Sequence, residues 1–531
     1  MMDFWADLPE KQAQRRQVNE ILSVAQMRAL ESRVIASGHV SATELMERAG
    51  QAVVDAVWTT WPHYAAQGAR PWRALVLCGP GNNGGDGFVV ARLLAEAGWA
   101  VTVHLLGDAD RLPPDARAAH DCWLSHGEVW PLGWPLPMIQ ADLLVDALFG
   151  IGLTRPLDPF LVELFDDIDA ARGNFFTGPD SPGIDDVVAI DTPSGLNADS
   201  GRVPGDPRGV LRADLTVTFH APKPGHVFGD GPALCGRLVV ADIGLFGPPG
   251  DEARLIDSLS ASDLHKRRGH KYDYGHALIL AGGAGHGGAA RLAARAALRI
   301  GAGLVTLAPS PEAMAENAAR LDAVMLTPVA DAGALTALLA DARLNTLVLG
   351  PGLGHARARD LVPAALATGR AAVLDADAIS AFAGDPAALL DRLHPNAILT
   401  PHEGEFARLF PDLAARLTDP LDNRVEITRE AAGQAGCAVL LKGPATVIAA
   451  PDGRAAVHVA AYGWAAPWLA TAGAGDVLAG MIAGLMARGS APYKAAGAAV
   501  WLHAAAARAF GPGLIAEDLP DALPGLFATL T

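Results

Sequence analysis

Short β-branched or leucine-rich runs, each ending in a glycine-bearing turn and followed by an alanine-rich stretch, recur along the whole chain. This alternation predicts strands joined by crossover helices, the pattern of parallel α/β layers. In the first half the expected strands are 74–78, 101–106, 143–147, 187–190, 215–219 and 238–241. In the second half they are 277–281, 304–307, 346–349, 371–374, 397–399, 438–441 and 447–449. Between the halves, residues 244–254 include Gly247, Pro248, Pro249 and Gly250, a linker composition. Each half has strands enough for its own sheet and no repeat relates them. The expectation is two unlike α/β domains, 1–250 and 251–531.

Composition narrows the function classes. A length of 531 residues suits two to four domains. The formal charge of −17 argues against a clamp on a phosphate backbone, so nucleic acid is not an expected partner. Half the residues are hydrophobic despite 58 glycines and 38 prolines, which makes this a loop-rich globular chain and not a disordered one. Four scattered cysteines, Cys78, Cys122, Cys235 and Cys437, form no Cys-x-x-Cys pair and read as free thiols in a reducing compartment. Residues 1–17 lack a continuous apolar stretch, and the most apolar helical stretch, 495–510, is interrupted by Gly497, His503 and Arg508. A cytoplasmic protein with no membrane partner is therefore expected. Only six of the 41 basic residues are lysine, so each lysine is worth reading individually.

Two glycine-rich turns stand where strands give way to helices. Gly79, Gly81 and Gly84 satisfy G-x-G-x-x-G, as do Gly283, Gly285 and Gly288. Such a turn lets a pyrophosphate approach a helix N-terminus, and the same spacing also suits a tight turn with no ligand. Neither turn carries a P-loop lysine. The first holds Asn82, Asn83 and Asp86, groups suited to a ribose, a phosphate or a cation. Three further segments, 146–155, 191–197 and 220–225, place polar residues just after strands, where open α/β sheets bind ligands. Asn83, Asp146 and Ser194 are oxygen donors of the kind a hard cation takes, while Asp191 and Lys223 are suited to acid–base work.

The ordered motifs GNNGGDG (81–87), DALFGIG (146–152), DTPSGLNADSG (191–201) and TFHAPKPGH (218–226) make residues 27–242 resemble the N-terminal epimerase domain of the NAD(P)H-hydrate repair proteins. The resemblance implies a Rossmann-like three-layer fold, a bound K⁺ and a hydrated nicotinamide dinucleotide as substrate. By motif position it implies Asn83, Asp146 and Ser194 as K⁺ ligands. The implied substrate contacts are Asn82, Asn83, Gly84, Gly85, Asp86, Gly150, Ile151, Gly152, Leu153, Thr154, Arg155, Pro156 and Asp191. Asp191, Lys223 and Asp146 are the candidates for proton handling. One position departs from the pattern: Arg48 stands where the family leads one to expect Asn.

In the second half, Gly473-Ala474-Gly475-Asp476 opens an expected helix. Its backbone N–H groups suit an anion, and an aspartate there suits proton removal from a hydroxyl attacking a phosphoryl group; an acidic residue in a first helical turn is also good capping. This tetrapeptide resembles the ribokinase-like superfamily. RIGAGLVT (299–306), GPGLG (350–354), LDADA (374–378), TPHEGE (400–405) and KGPAT (442–446) extend the resemblance to the ADP-dependent NAD(P)H-hydrate dehydratase over residues 264–523. It implies Asp476 as the catalytic acid–base residue, with Ala302, Gly352, His402 and Asp476 lining the hydrate site. Lys442, Gly443, Pro444, Ala445, Thr446 and Gly475 would bind the adenine nucleotide. For His402 the plainer alternative is a helix-capping or core-satisfied imidazole.

The joint reading is a bifunctional repair enzyme. It would interconvert the R and S hydrates of NADH or NADPH and dehydrate the S form with ADP and Mg²⁺, giving AMP and phosphate. Its expected partners are small molecules and a second copy of itself, a homo-oligomer. The residues alone also admit a Rossmann oxidoreductase fused to a small-metabolite kinase, or a dinucleotide sensor without catalysis.

Overall fold

The computed structural model describes residues 19–66, 70–133, 140–172, 183–247, 250–259, 264–266 and 269–530. The linker prolines Pro248 and Pro249 and the N-terminal stretch 1–17 lie outside the described residues. The chain forms two compact units, Met1–Glu252 with Asp419–Asn423, and Ala253–Thr418 with Arg424–Thr531. No helix among the described residues is long and apolar enough to cross a membrane.

In the first unit the strands are β1 (Arg73–Cys78), β2 (Ala100–Leu105), β3 (Val129–Pro131), β4 (Gln140–Ala147), β5 (Gly183–Ile190), β6 (Leu215–Phe219) and β7 (Arg237–Ala241). They lie side by side in the order β3-β2-β1-β4-β5-β6-β7, and every pairing is parallel. The order runs outward in both directions from the β1–β4 pair, which is the Rossmann arrangement with its switch point there. Helices cover both faces because the strand pleat sends alternate residues to opposite sides. Val76 and Cys78 of β1 join a core with α1 (Val24–Ala36), α2 (Ala42–Thr60), α3 (Asn82–Glu96) and α4 (Pro114–Trp123). Leu75 and Leu77 join another with α5 (Pro159–Ala171). Local sequence starts these helices: Ser23 and Gln26 form a reciprocal capping box at α1, and the Ser41 side chain accepts the Glu44 N–H at α2.

The second unit contributes β8 (Ala253–Leu255), β9 (His276–Leu280), β10 (Leu304–Ala308), β11 (Met325–Leu326), β12 (Thr346–Leu349), β13 (Ala371–Leu374), β14 (Ala397–Leu399), β15 (Ala438–Leu441), β16 (Ala445–Ala449) and β17 (Ala455–Val459). Their order is β8-β17-β16-β15-β14-β13-β12-β9-β10-β11. The expected parallel layering holds from β11 to β15, but β15, β16 and β17 form an antiparallel meander. The reason is connection length: three residues separate β15 from β16, and a parallel crossover needs about a dozen or more. Leu347, Leu349, Leu374 and Leu399 face a core shared with α7 (His355–Leu366), α8 (Glu403–Leu409) and α9 (Arg424–Ala435). α6 (Gly288–Arg299), α10 (Ala474–Ala487), α11 (Pro492–Phe510) and α12 (Asp518–Thr529) complete the longer helices. A Cβ at Gly480 of α10 would lie 2.1 Å from the Ala293 carbonyl oxygen, so α10 and α6 touch backbone to backbone. The short strands β3, β8 and β11 and the alanine-rich β17 were not among the expected strands.

Candidate active sites

The first site lies at the switch point, beyond the carboxyl ends of β1 and β4. Gly79 follows β1 and donates its N–H to the Ala147 carbonyl at 2.9 Å. A Cβ there would sit 1.7 Å from the Leu148 carbonyl oxygen, so only glycine allows the two loops to close together. A cavity of about 360 Å³ opens beside them, lined by Pro80, Gly107, Phe149, Leu153 and Arg155 among others. Asn82 is exposed and Asn83 half-buried on the first turn of α3, and Asp86 is half-buried one turn further on. Gly84 and Gly85 are buried and donate their N–H groups to the Gly81 carbonyl, so they shape the turn. In the following loop Gly152, Thr154, Arg155 and Pro156 are exposed, Gly150 and Ile151 are half-buried, and the Leu153 side chain turns inward.

Asp146 and Ser194 meet at 0 % exposure. Ser194 donates its hydroxyl to Asp146 Oδ1 at 2.6 Å and its backbone N–H to Oδ2 at 2.7 Å, and Leu148 N–H reaches Oδ1 at 3.2 Å. Burial pushes the Asp146 carboxyl up to about 6 against these hydrogen bonds, and no cationic side chain reaches it among the described residues. Asn83 lies across the loop: a Cβ at Gly150 would be 2.8 Å from its Oδ1. A buried carboxylate without a counter-charge, beside a hydroxyl and an amide, fits a monovalent cation.

Asp191 follows β5 in a left-handed conformation, φ +65°, which a side-chain-bearing residue rarely adopts. Its Oδ1 accepts from Lys223 Nζ at 2.9 Å and from the Thr218 hydroxyl at 2.8 Å. Lys223 also donates to Thr218 Oγ1 at 2.7 Å and to the Phe219 carbonyl at 3.1 Å. Its three N–H donors are thus engaged at 0 % exposure, and the lysine pins Asp191 without reaching solvent. Burial alone would raise the Asp191 carboxyl, but the charge and hydrogen bond of Lys223, with His226 and the Thr218 hydroxyl, together outweigh it and hold the group below the ordinary range. His226 fixes the strained backbone: its Nδ1 accepts the Lys223 N–H at 3.0 Å and its Nε2 donates to the Asp191 carbonyl at 2.9 Å. Burial keeps this imidazole neutral, down to about 4.

Asp86 sits in the same electrostatic neighbourhood, its carboxyl raised by burial and by the charges of Asp191 and Glu31. Glu31 belongs to α1, and a Cβ at Gly152 would lie 2.7 Å from Arg28 Nη2 of that helix. Sequence reasoning missed Arg28 and Glu31, which belong to no motif, and missed Thr218 and His226, which stand inside TFHAPKPGH. Arg48 donates to Glu44 Oε1 at 2.6 Å and to the Ile243 carbonyl at 3.1 Å.

The second site gathers at the start of α10. Gly473 precedes the helix at φ +90°, and Asp476 is its third residue. The carboxyl of Asp476 is pushed up to about 7, by burial first, then by the charges of Asp375, Asp377 and Glu405, against the lowering pull of Lys442. Lys442 Nζ lies 2.7 Å from Asp375 Oδ1 and 3.8 Å from Glu405 Oε2. A Cβ at Gly475 would be 3.4 Å from that Nζ. Gly443 and Pro444 are exposed in the turn, whereas Ala445 and Thr446 are buried in β16, with the Thr446 hydroxyl donating to the Gly443 carbonyl at 2.9 Å.

Gly352 stands after β12 at the same end of the sheet. His402 caps α8, its Nδ1 accepting from Gly404 N–H at 3.0 Å and Glu405 N–H at 3.3 Å, so the capping alternative describes what the ring does, and the ring is exposed, not core-satisfied. Ala302 is not brought here. It precedes β10, whose first residue pairs with the first residue of β9, and it is buried at the opposite, amino end of the strands. The alanine that does lie against Gly352 is Ala289: a Cβ at Gly352 would be 3.4 Å from its Cβ.

Two family models match the chain, YjeF-related protein N-terminus over residues 42–225 and NAD(P)H-hydrate dehydratase over residues 277–523. The bifunctional NAD(P)H-hydrate repair enzyme Nnr of Coxiella burnetii is 38 % identical over 508 residues, covering 93 % of this chain and 96 % of that protein. The NAD(P)H-hydrate epimerase of Rhodobacter capsulatus is 50 % identical over 211 residues, 39 % of this chain and 92 % of that protein. Among solved structures, the ADP/ATP-dependent NAD(P)H-hydrate dehydratase from Bacillus subtilis, co-crystallised with ATP/Mg²⁺, is 31 % identical with a TM-score of 0.42, covering 51 % of this chain and 96 % of that one.

Proposed function

Because the chain belongs to the family of bifunctional NAD(P)H-hydrate repair enzymes, which join an epimerase to a dehydratase, we propose that residues 1–250 carry the epimerase and residues 251–531 an ADP-dependent dehydratase. The observation that carries the dehydratase reading is the pairing of Lys442 and Asp375 over the first turn of α10, next to a carboxyl poised near neutrality.

The hydroxyl on the hydrated nicotinamide ring is a poor leaving group. Asp476 takes its proton while the oxygen attacks the terminal phosphoryl of ADP, releasing AMP. The ring then expels phosphate with the C–O bonding electrons, a proton leaves the adjacent carbon, and the double bond returns. The helix N-terminus and the Lys442 ammonium stabilise the transferred charge. Mg²⁺ enters with the nucleotide, as part of the co-substrate. Gly352, His402 and Asp476 face the hydrate, and Lys442, Gly443, Pro444 and Gly475 face the nucleotide.

In the first unit Asp191 handles the proton, and Lys223 acts behind it as a positioning residue. Asn83, Asp146 and Ser194 would hold K⁺, which supplies fixed positive charge beside the substrate loops when bound. The exposed faces of residues 82–86 and 150–156 receive the dinucleotide. A pocket of fixed hand accepts one hydrate epimer, so the epimerase lets the dehydratase clear the whole pool. Free cysteines at Cys78, Cys122, Cys235 and Cys437 support a reducing, cytoplasmic setting.

The test is an absorbance assay on hydrated NADH, following recovery of the reduced-nicotinamide band with ADP and with ATP. Recovery with ADP is expected; no recovery with either nucleotide would sink the reading.

A further inference from the structure

We propose that Asp375 is a positioning residue of the dehydratase: its buried carboxylate holds the Lys442 ammonium at the N-terminus of α10, where it meets the transferred phosphoryl group. The inference rests on the dehydratase reading above.

The geometry is specific. The Asp375 side chain is 2 % exposed and that of Lys442 20 %, with 2.7 Å between Oδ1 and Nζ. Glu405 Oε2, at 3.8 Å, is beyond hydrogen-bond reach. Among the described residues Lys442 therefore spends one N–H on a side-chain partner, which leaves two for phosphoryl oxygens. Gly475 places both groups on the helix: its Cβ would be 3.4 Å from Lys442 Nζ and 3.9 Å from Asp375 Oδ2. An ammonium at the positive end of a helix is repelled unless a carboxylate offsets it. Without Asp375, the flexible lysine stem has no reason to keep this position.

The backbone that carries Asp375 is strained to present it. Ala376 adopts φ +47°, ψ −114°, and a Cβ at Gly350 would lie 1.6 Å from the Asp375 carbonyl oxygen. Strain of this kind persists where surrounding structure enforces a functional geometry. The charged groups facing Asp476 are Asp375 and Asp377 after β13, Glu405 of α8 and Lys442 after β15. Asp377 in turn faces His355 at 3.6 Å, and on α11 His503 donates through Nε2 to the Ala474 carbonyl at 2.9 Å, kept neutral by burial. Of the carboxylates around Asp476, Asp375 acts on it most strongly.

The experiment is a double-mutant cycle on ADP-dependent dehydration by the full-length protein, with Asp375→Asn, Lys442→Met and the two combined. Asp375→Asn alone should lose about tenfold or more in kcat and bind ADP more weakly. Because Asp375 acts through Lys442, the combined variant should lose no more kcat than Lys442→Met alone. Asp375→Glu, which keeps the charge on a longer arm, should recover part of the kcat that Asp375→Asn loses. A folded Asp375→Asn whose loss adds in full to that of Lys442→Met overturns the inference while the dehydratase reading stands. Should that variant fail to fold, Asp375→Glu decides, and wild-type kcat in it overturns the proposal. A wild-type protein inactive with ADP overturns the dehydratase reading and this inference with it.

Discussion

Lys223 lies 2.9 Å from Asp191 with none of its side chain exposed, and its two other N–H groups are taken by Thr218 and the Phe219 carbonyl. The lysine therefore cannot greet an anionic dinucleotide, contrary to what a rare lysine in a ligand motif suggests. It can only hold Asp191 charged and aimed. Lys223→Met leaves that carboxylate buried without its partner, a change that typically costs about 3–5 kcal/mol. Epimerisation should fall about a hundredfold or more, with a lower unfolding midpoint in urea. Wild-type exchange between R and S hydrates in Lys223→Met would remove the role.

Asp146 predicts a pH-dependent response to potassium. Its folded carboxyl sits near 6, above the ordinary value, so the native state binds the proton more tightly than the unfolded chain. Stability from this group therefore declines as pH rises from about 4 through 6, by roughly 3 kcal/mol. Bound K⁺ should offset that loss above pH 6. Melting temperature is expected to rise with KCl at pH 7 and hardly at pH 5, and Asp146→Asn should abolish the difference. An equal potassium response in that variant would contradict the ligand assignment.

Asp476→Asn should cut dehydration by about 10²–10⁴-fold while calorimetry still detects ADP binding and hydrate epimers still exchange. In the wild type the dehydration rate should climb through about pH 7, where the carboxyl becomes a base. Near-normal turnover in the variant would refute the assignment.

Gly350 stands at φ +122° against the Asp375 carbonyl. Gly350→Ala must displace the loop that carries Asp375 and Asp377, so dehydratase activity should drop and stability fall by about 1–3 kcal/mol, read by activity and thermal melts. Unchanged dehydration there would mean the two loops need not touch.

Much of the architecture is legible from pattern. The strands that build both sheets show as apolar runs ending in glycine, and the residues that meet at the β1–β4 switch point stand in the loops just after them. The misses have physical causes. β17, Ala455–Val459, places its two valines among two alanines and a histidine, too short an apolar run to stand out, and it pairs because a short turn folds it back on β16. Ala302 was placed by motif in the hydrate site, yet the crossover helix α6 carries it to the far end of the strands. Arg28 and Glu31 approach the first site from α1, and no spacing within their own segment announces that.

What the sequence determined by itself is the family, the two α/β units and the chemical inventory, because strand period, glycine turns and ordered motifs are local properties. What only the tertiary structure decided is what each group does with its charge. Lys223 and Lys442 look equivalent along the chain, two rare lysines in two ligand motifs. Folding buries the first with all three donors satisfied and, among the described residues, leaves the second with one hydrogen-bonded partner, over a helix N-terminus. Burial and the direction of neighbouring dipoles and charges separate an internal pin from a phosphate-facing ammonium, and these arise only when distant segments meet.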